Sequence, residues 1–570
     1  MSTAPADLDA LDPTDPYQRD AQTFPRLSAE MMARLAPYGR EERLAAGSVL
    51  FARGERSVDF WVVIDGAVEI YDEGEDGRAN VFTVHGPSQF TGELDLFNDR
   101  EILVSGRAGG DTRVARIARA DFRRLITAEP DIGEVIMRAF ILRRVGLIRY
   151  AQGGVVLVGP AHGGDTLRLQ RFLTRNGYPH RLIDAEVGDE AAALLDGAGL
   201  AADALPVLML PDHRVLLNPT NAEVADRLGL TEHLDPDHVF DVAVVGAGPG
   251  GLAAAVYAAS EGLDTVVIES VAPGGQAGTS SKIENYLGFP TGISGQALAG
   301  RAQVQAQKFG ARLAVSRGAV RLACDDRPYR IDLDDGAQVR ARSVVVATGA
   351  RYRKLSVPDY ERFEAQGIHY AATAIEAEVC GREEVIVVGG GNSAGQAAVF
   401  LSRTAGHVHI LVRAEGLAAT MSDYLVQRIA SSPKITLHAR TEITALEGDR
   451  YLRRVTWRNR DTGESETRDI GNIFVMIGAE PNTDWVADCL RLDAKGFIET
   501  GRTADGAVTS PYATSRPGVF AIGDVRSGSV KRVASSVGEG SVVVSSVHQF
   551  LNPELAGVVY PAASGSARTP

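Results

Sequence analysis

Glycines at three fixed positions give one stretch of the chain the spacing that binds a phosphate group. Gly246, Gly248 and Gly251 follow the short apolar run 242–245 and precede a run of small residues, 252–260. In this pattern the first glycine permits a tight turn, and the second lets a pyrophosphate approach backbone N–H groups. The third lets a helix pack closely on the strand, with the helix N-terminus facing the phosphates. The sequence therefore predicts a strand, a turn and a helix that hold a dinucleotide.

A carboxylate stands where such a site needs one. The next apolar run, 265–268, ends at Glu269, which lies 23 positions after Gly246. An acid at about this spacing accepts hydrogen bonds from ribose hydroxyls. Because the glycines and the acid occur together, we interpret the stretch as a nucleotide site and not as a structural turn.

A second glycine pattern begins at Gly389 and continues through Gly391 to Ala394, again between a predicted strand, 384–388, and a helical stretch. Two patterns imply two dinucleotides. The position 23 residues after Gly389 is Val412, and Arg413 follows it. An apolar residue followed by arginine suits a ribose 2′-phosphate better than a bare ribose. We therefore expect NADPH at this second site, with NADH as the alternative.

Length and composition limit the elements that surround these sites. A chain of 570 residues has room for several domains, and its net charge of −14 argues against general affinity for nucleic acid or anionic membranes. No apolar run approaches the roughly 18 residues of a membrane span, so we expect a cytoplasmic protein with no membrane partner. Cys324, Cys380 and Cys489 are far apart, and their spacing indicates neither a disulfide framework nor a metal cluster.

The first part of the chain has the pattern of a small β-roll with helices. Residues 1–24 are rich in Ala, Asp, Pro and Thr and predict a mobile leader, and a domain is expected over 25–150. Its apolar runs 60–64 and 68–71 are separated by Asp65-Gly66, which is typical of a hairpin.

This domain resembles the cyclic-nucleotide-binding family. The resemblance rests on Gly47, the stretches 51–55 and 90–96, and the hairpin at Asp65. It implies a regulatory ligand at Gly92, Glu93 and Leu94, with Glu93 on a ribose hydroxyl. The family's phosphate-binding arginine lies nine residues after the glutamate, where this chain has Ile102, and Arg100 and Arg107 are out of register. A cyclic mononucleotide, another regulatory ligand and a structural or dimerising role therefore all stay open.

Residues 151–230 have the element order of a thioredoxin-like α/β domain. A βαβ unit is followed by two strands and a helix, and Pro206 stands where that fold keeps a cis-proline. The loop 159–164, which corresponds to the redox cysteines of the resembled family, contains no cysteine. We interpret the domain as a docking or spacer module without a redox site.

Residues 239 to about 551 resemble the low-molecular-weight thioredoxin reductases among the FAD-dependent pyridine nucleotide disulfide oxidoreductases. Strand ends at Thr348-Gly349 and Gly523-Asp524 accompany the two glycine patterns in that family's order. The resemblance implies two Rossmann-like α/β domains, one for FAD (239–357 and 478–555) and one for NAD(P)H (358–477), and a homodimer. The FAD contacts implied are Gly246, Gly248, Gly251, Glu269, Gln276, Asn285, Thr348, Gly349 and Asp524, with the helix start at Arg532, Val533 and Ala534. The nicotinamide nucleotide contacts implied are Gly389, Gly391, Asn392, Ser393, Ala394 and Arg413.

The chain departs from this family at the residues that do thiol chemistry. The family's Cys-Ala-Thr-Cys stretch corresponds to 371–374, where Ala371 and Ala374 replace both cysteines. Thiol exchange needs a thiolate, so we assign no catalytic side chain and expect no thioredoxin reduction. Cys380, six residues beyond, is interpreted as a packed cysteine, although direct disulfide chemistry through it is a further possibility.

Two functions follow from these observations. The first is an FAD-dependent NAD(P)H oxidoreductase whose reduced flavin passes electrons directly to an acceptor, with a possible regulatory ligand on the N-terminal domain. The acceptor stays open among a ferredoxin, a flavodoxin, a quinone, oxygen and a small disulfide. The second is a flavoprotein sensor with slow or no turnover that acts through a protein partner.

Overall fold

The computed structural model describes residues 20–552 except 57, 74–78, 93, 98, 99, 151, 153, 202, 203, 211, 213, 233, 281, 365, 450 and 503–509. Most of the expected leader and the regulatory candidate Glu93 therefore lie outside the described residues. The described chain is a multi-sheet α/β structure with a β-rich N-terminal part.

The N-terminal part consists of two antiparallel sheets capped by helices. In spatial order the first sheet contains Arg40–Leu44, Thr112–Ile117 and Phe60–Asp65, and the second contains Val49–Phe51, Ser105–Ala108, Val68–Glu73 and Ala79–His85. The α-helices are Asp20–Thr23, Ala29–Leu35, Arg119–Ala128 and Pro130–Arg149, and short 3₁₀ turns cover Ala36–Tyr38 and Leu94–Phe97. The predicted hairpin at Asp65-Gly66 is wrong. The chain does turn at Gly66, whose φ of +85° a side chain would strain, but Phe60–Asp65 pairs with Thr112–Ile117 in the first sheet and Val68–Glu73 pairs within the second, so the turn links two sheets.

Five phenylalanines form the centre of this N-terminal core, because strands and helices both turn aromatic faces inward. Their ring centroids lie 4.7–6.3 Å apart, a spacing at which tilted and edge-on rings attract. They are Phe60, Phe90, Phe97, Phe122 and Phe140. The core continues through Leu147 into Phe172 of the next part of the chain, so the two parts share one apolar interior.

The middle module, residues 154–230, is built on a four-stranded sheet. In spatial order its strands are Val215–Leu217, Val207–Met209, Val155–Gly159 and His180–Asp184, and only the last pair is parallel. Its helices are Gly164–Arg175, Glu190–Gly197 and Asn221–Arg227. The predicted βαβ unit followed by two strands and a helix is present, and the Leu205–Pro206 peptide bond is cis, as expected at that position.

The first Rossmann-like unit is a seven-stranded sheet with helices packed on it. In spatial order its strands are Arg312–Val315, Thr265–Glu269, Val239–Val245, Gln338–Val346, Tyr329–Leu333 and Ala319–Ala323, and Val519–Ala521 also pairs with Gln338–Val346. Its helices are Pro249–Ser260, Gly295–Lys308 and Val533–Leu551, with 3₁₀ turns at Ala277–Thr279, Asp484–Val486 and Gly523–Val525. The central strands are parallel and buried, which explains their continuous apolar runs.

The second Rossmann-like unit has a five-stranded parallel sheet and a three-stranded antiparallel sheet. The parallel strands in spatial order are Ile368–His369, Ile473–Val475, Glu384–Val388, His407–Leu411 and Ile435–His438. The antiparallel strands are Thr441–Gly448, Leu452–Asn459 and Ser465–Arg468, and the helices are Tyr360–Phe363, Ala374–Cys380, Asn392–Leu401 and Asp423–Ala430. The chain passes from the first unit to the second and later returns. The two connecting segments pair with each other as a two-stranded antiparallel ladder, Ala350–Tyr352 with Ala479–Pro481.

One expectation about cysteines is wrong. Cys324 and Cys489 form a disulfide, with their Cα atoms 6.0 Å apart and a sequence separation of 165. The spacing along the chain gave no sign of it, because the second unit is inserted between the two cysteines and the fold brings the flanking segments together. The bond ties the segments on either side of that insertion.

The described residues contain neither a membrane-spanning helix nor a metal-binding cluster. Among these residues no helix has both the length and the apolar composition needed to cross a bilayer. Within the same part of the chain, no group of three or more His, Cys, Asp or Glu side chains is arranged to hold a metal ion.

Candidate functional site

The first glycine turn has the geometry that its three glycines predict. Gly246 has a φ of +105°, and a Cβ placed on it would overlap the carbonyl of Ala347. A Cβ on Gly251 would overlap the carbonyl of Gly246, so this glycine is required for the helix to pack against the turn. A Cβ on Gly248 would meet no atom within 4 Å. The turn is therefore closed on its protein side and open at Gly248.

The helix Pro249–Ser260 begins at this opening. Gly248 is its N-cap residue, Pro249 occupies its first turn, and no side chain caps it. The first N–H groups of an uncapped helix have no intrahelical partner, and the helix dipole adds positive potential. The open space at Gly248 therefore faces donors suited to a phosphate.

Glu269 lies at the end of the neighbouring strand, with its carboxylate directed back at the turn. One carboxylate oxygen accepts from the backbone N–H of Ala247 at 2.8 Å, and the other accepts from Val271 at 3.0 Å and Ala272 at 3.3 Å. A carboxylate has about four acceptor sites, so three backbone donors leave capacity for a hydroxyl. The acid thus both orders the turn and lies at the predicted ribose position.

The Thr348-Gly349 turn is fixed by a residue that the sequence did not indicate. Thr348 Oγ1 donates to the carbonyl of Asn482 at 2.8 Å, and Asn482 Nδ2 donates to the carbonyl of Thr348 at 2.9 Å. Gly349 has a φ of +62°. Asn482 is 134 positions away and no local pattern marks it, so only the fold identifies it as a partner of this turn.

The remaining flavin candidates lie on several elements. Gln276 Nε2 donates to the carbonyl of Ala350, whereas Asn285 is exposed. Asp524 lies in the short turn Gly523–Val525, and burial raises the pKa of its carboxyl group. A partly buried carboxylate with a raised pKa is a candidate acceptor for a ligand hydroxyl.

The helix Val533–Leu551 packs against the helix that follows the first glycine turn. A Cβ on Gly540 would overlap the carbonyl of Gly250, so the two helices touch at glycine. Arg532 is the N-cap residue and donates no side-chain cap, and Ala534 is exposed. The structure therefore holds this helix start close to the first glycine turn, with its backbone N–H groups uncapped.

The second glycine turn repeats the geometry of the first. Gly389 has a φ of +140°, and a Cβ on it would overlap the carbonyl of Met476. A Cβ on Gly391 would meet nothing within 4 Å, and Gly391 is the uncapped N-cap residue of the helix Asn392–Leu401. Ala394 is fully buried at the position where the first turn has its third glycine. The second turn is thus also closed on its protein side and open toward a helix N-terminus.

Side chains around this second turn are ordered by loop contacts. Asn392 Oδ1 accepts from the backbone N–H of Ser422 at 2.7 Å, and Thr420 Oγ1 donates to the carbonyl of Gly390 at 2.7 Å. Ser393 is exposed. Val412 is 4% exposed and Arg413 is exposed, directly after the strand that pairs with the glycine strand. Arg413 therefore lies at the carboxyl edge of the sheet, where a 2′-phosphate would be bound.

The stretch that replaces the cysteine pair contacts the middle module. The helix Ala374–Cys380 begins at Ala374, and Glu376 in its first turn is 2% exposed. Glu376 Oε1 lies 2.8 Å from Arg171 Nε, and Glu376 Oε2 accepts from the backbone N–H of Thr373 at 2.9 Å. The helix Gly164–Arg175 of the middle module thus contacts the segment in which Ala371 and Ala374 replace the two cysteines.

His369 completes this buried contact. Its Nδ1 lies 3.2 Å from Arg171 Nη2 and its Nε2 lies 2.9 Å from Asn472 Oδ1. Burial, followed by the charge of Arg171, lowers the pKa of His369 to about 4, so the ring is neutral at pH 7. A guanidinium only donates, so Nδ1 accepts and Nε2 carries the proton.

The remaining free thiol among the described cysteines is unsuited to attack. Cys380 is 1% exposed, and burial, with smaller contributions from Glu376 and Glu383, raises its pKa to about 12. The interpretation of Cys380 as a packed cysteine agrees with this position.

The N-terminal candidates are only partly described. Gly92 has a φ of +99° and Leu94 begins the 3₁₀ turn Leu94–Phe97. Arg100 Nη1 donates to the carbonyl of Asn176, and Arg107 pairs with Glu69 at 2.8 Å. Both arginines that are out of register thus have protein partners.

Comparison with known families agrees with this geometry. The family model described as pyridine nucleotide-disulphide oxidoreductase matches residues 240–540. The model described as cyclic nucleotide-binding domain matches residues 41–129.

Individual proteins are similar to the same part of the chain. Thioredoxin reductase of Mycolicibacterium smegmatis is 34% identical over 315 residues, which are 55% of this chain and 97% of the relative. NADPH-dependent thioredoxin reductase 3 of Arabidopsis thaliana is 32% identical over 320 residues, 55% of this chain but only 58% of that relative's length. NADH dehydrogenase of Bacillus subtilis is 29% identical over 370 residues, 63% of this chain and 70% of the relative.

A solved structure agrees with the sequence relatives. Lactococcus lactis thioredoxin reductase in its FR conformation has a TM-score of 0.51 and 29% identity, and the match covers 55% of this chain and 99% of that one. The chain therefore belongs to the pyridine nucleotide-disulphide oxidoreductase family, with a cyclic nucleotide-binding domain in its N-terminal part.

Proposed function

We propose that the protein transfers electrons from NADPH, by way of FAD, directly to an acceptor without an intervening cysteine pair. The observation that carries the proposal is the pair Ala371 and Ala374 at the positions of the reductase cysteines. Exchange with a disulfide requires a thiolate. Cys380, buried and with its pKa raised to about 12, does not supply one near neutral pH.

The residues present fit both cofactors. The open space at Gly248 and at Gly391 adjoins an uncapped helix start in each unit, which is the cradle that a pyrophosphate requires. When bound, FAD supplies the hydride and electron chemistry, and the protein binds and orients it.

Each proposed flavin contact has a distinct physical task. Glu269, ordered by three backbone N–H groups, accepts from ribose hydroxyls. Asp524, desolvated by burial, accepts from a ribityl hydroxyl. The helix start at Val533 directs backbone N–H groups toward the flavin ring, where negative charge is stabilised. The other proposed contacts are Gly246, Gly251, Gln276, Asn285, Thr348 and Gly349 for FAD, and Gly389, Asn392, Ser393 and Ala394 for the nicotinamide nucleotide.

The preference for NADPH rests on Arg413. One relative is named as NADPH-dependent and another as an NADH dehydrogenase, so family membership does not decide between the nucleotides. Replacing Arg413 with Ala should raise KM for NADPH severalfold and leave KM for NADH unchanged. Arg403→Ala, another exposed arginine of the same unit, is the control. Equal effects of Arg413→Ala on both nucleotides would remove the basis for the preference.

We further propose that the middle module is a thioredoxin-like docking module without a redox site. Its loop 159–164 contains no cysteine, and the module contacts both Rossmann-like units. Arg175 Nη2 lies 3.1 Å from the carbonyl of Gly275 in the first unit, and Arg171 pairs with Glu376 in the second. The module thus bridges the units on the side where the cysteine pair is missing.

Anaerobic reduction tests the proposed electron transfer. The FAD-loaded protein should lose its flavin absorbance when mixed with NADPH, and oxygen, a quinone or ferricyanide should restore it. Thioredoxin should not restore it faster than buffer. Rapid reoxidation by thioredoxin would contradict a direct transfer, and a failure of both NADPH and NADH to bleach the flavin would contradict the enzyme.

The sensor is the second candidate because the bridging contacts of the middle module offer a route to a partner. A flavin that is bleached by NADPH but turns over no soluble acceptor would favour it.

The dimer is proposed from the family resemblance and is tested by light scattering of the purified full chain. The domain boundaries at 150, 230, 357 and 477 are proposed as drawn from the sequence, and limited proteolysis tests them.

A further inference from the structure

One acidic side chain lies within the helix whose start belongs to the proposed flavin site. The helix Val533–Leu551 is rich in valine, serine and glycine, and Glu539 is the only acidic residue in its sequence. Glu539 is 9% exposed. Taking a carboxylate out of water is costly unless hydrogen bonds and an opposite charge replace the lost hydration. The contacts of Glu539 therefore indicate why an acid stands at this position.

The carboxylate of Glu539 binds both sides of the turn that contains Asp524. Glu539 Oε2 accepts from the backbone N–H of Gly523 at 2.6 Å, and Glu539 Oε1 lies 2.5 Å from Arg526 Nη2. Arg526 Nε also lies 3.4 Å from Glu539 Oε2. Hydrogen bonds to a charged acceptor are stronger than neutral ones, and the guanidinium fork fixes their direction. One side chain of the helix thus holds the residue before Asp524 and the residue just past the turn.

The turn also lies directly on the helix that carries Glu539. Gly523 has a φ of +70°, and a Cβ placed on it would lie 3.4 Å from Ser536 Oγ. Ser536 is three positions before Glu539, and residues at this spacing lie on one face of a helix. The turn therefore contacts this helix face at two successive positions.

The same part of the helix contacts the helix that begins at the first glycine turn. A Cβ on Gly540, the residue after Glu539, would lie 2.3 Å from the carbonyl oxygen of Gly250. A Cβ on Gly250 would lie 3.1 Å from the carbonyl oxygen of Ser536. The Asp524 turn and the proposed pyrophosphate helix thus both contact the first two turns of one helix. A side chain that fixes the Asp524 turn here also fixes its position relative to the other proposed FAD contacts.

The charges around Asp524 include that of Glu539. Burial is the main cause that raises the pKa of Asp524, Lys531 acts to lower it, and the charge of Glu539 acts to raise it. Lys531 Nζ donates to the carbonyl of Asp524 at 3.2 Å. Tyr512, whose ring centroid lies 5.6 Å from the Arg526 guanidinium, also faces Glu539: burial and then Glu539 raise the pKa of its hydroxyl. Glu539 thus acts on Asp524 through the backbone of the turn and through charge.

We propose that Glu539 is a positioning residue of the flavin site, which holds the turn Gly523–Val525 on the helix so that Asp524 meets the ribityl chain of FAD. The inference rests on the proposed flavin contacts, because Glu539 acts on the cofactor through Asp524. A positioning role differs from that of an ordinary buried ion pair. Replacement of Glu539 changes FAD affinity and the dependence of that affinity on pH, in addition to any change in the stability of the FAD-free protein.

Titration of the FAD-free full chain with FAD, followed by flavin fluorescence, tests the proposal. Glu539→Gln keeps an oxygen that accepts from Gly523, so the Kd for FAD should rise about threefold or less. Glu539→Leu removes the acceptor and the charge and should raise the Kd at least about tenfold. The control is Glu261→Leu. Glu261 lies 2.9 Å from His548 and joins the far ends of the same two helices, so its replacement should leave the Kd unchanged.

The pH dependence of FAD affinity separates positioning from packing. Affinity should rise with pH as Asp524 ionises, because a carboxylate accepts a stronger hydrogen bond from a ribityl hydroxyl than a neutral carboxyl does. Removing the negative charge of Glu539 lowers the pKa of Asp524, so the midpoint of this rise should lie at a lower pH in Glu539→Gln. A loss of packing alone would weaken FAD binding at every pH and leave the midpoint in place.

The outcomes distinguish this inference from the proposed function. A native chain that binds FAD and is bleached by NADPH, together with an equal Kd for Glu539→Leu, would overturn the role of Glu539 alone. A native chain that binds no FAD would overturn both. An unshifted pH midpoint in Glu539→Gln would also overturn the positioning role, and this measurement decides the question if Glu539→Leu does not fold.

Discussion

Arg171 Nε lies 2.8 Å from Glu376 Oε1, which joins the middle module to the second Rossmann-like unit across 205 positions of sequence. Glu376 is 2% exposed and the side chain of Arg171 is 29% exposed. Removing one member of such a pair leaves a buried charge without its partner, which is costly. We expect Arg171→Met to weaken docking by about 2 to 3 kcal/mol, less than for a fully buried pair because water reaches the guanidinium.

Hydrogen exchange measures this effect locally, which suits a chain of several domains. Exchange should accelerate in the helices Gly164–Arg175 and Ala374–Cys380 of the Arg171→Met protein. The control is Arg181→Met, which breaks the exposed pair with Glu190 in the same module and should cost less than about 1 kcal/mol. Equal acceleration in both variants would show that the buried pair has no special part in docking.

The same pair predicts a pH dependence. Burial acts to raise the pKa of Glu376, but Arg171 and hydrogen bonds from Thr373 outweigh it, and the net pKa lies below the ordinary value of 4.5. A carboxylate whose folded pKa is lowered stabilises the fold above its unfolded pKa, and this contribution is lost as the pH falls through the folded value. The native chain should therefore exchange more slowly than Glu376→Gln. This difference in exchange rate should have its full size at pH 6 and shrink below about pH 4.5. A difference that grows toward acid would contradict the pairing.

Cysteine chemistry gives a second prediction. Thiol titration of the unfolded, unreduced protein should find one thiol, Cys380, and titration after reduction should find three. Cys380→Ser should leave flavin reduction by NADPH and acceptor turnover unchanged, because the thiol is buried and its pKa is about 12. A loss of disulfide-reducing activity in that variant would instead assign the chemistry to Cys380.

The spacing of glycines in the sequence was enough to locate both glycine turns. Each turn requires positions without a Cβ atom within one short strand–turn–helix segment, and this requirement is visible in neighbouring residues. Gly246 and Gly389 have the positive φ that the pattern requires, and Gly248 and Gly391 face open space. The turn at Gly66 follows from the same kind of local pattern, but the pattern did not indicate that the strands on either side of it belong to different sheets.

Contacts between distant segments were not predictable in this way. The Cys324–Cys489 bond, the Arg171–Glu376 pair and the Asn482 contact to Thr348 join residues more than 130 positions apart. Their residue types occur at no fixed spacing, since insertion of one unit into another decides which segments meet. Glu539 is only 16 positions from Gly523, but its place on a long helix gave no indication that it holds the Asp524 turn.

Asp524 provides a test of the flavin site that separates binding from folding. Burial raises the pKa of its carboxyl group, so above the ordinary carboxyl range the ionised side chain destabilises the protein without FAD. That cost disappears as the pH falls through the raised value. Asp524→Asn should therefore leave the FAD-free protein as stable or more stable at pH 7, while FAD affinity falls by about ten- to a hundredfold. A variant that loses stability without FAD would show a structural role for the carboxylate.

The same substitution at two glycines of the first turn should have opposite consequences. Gly248 has a φ of −68° and open space in front of it, so alanine fits the backbone and its methyl group enters the proposed pyrophosphate position. Gly251 has the carbonyl of Gly246 against it, so alanine forces the helix away from the turn. We expect Gly248→Ala to fold with an unchanged thermal midpoint in the absence of FAD and to bind FAD at least tenfold more weakly. Gly251→Ala should lower that midpoint by several degrees, in the way that overpacking a core costs about 1 to 3 kcal/mol. FAD titration and thermal melts of the two FAD-free proteins make the comparison, and undiminished FAD affinity in Gly248→Ala would place the pyrophosphate away from this turn.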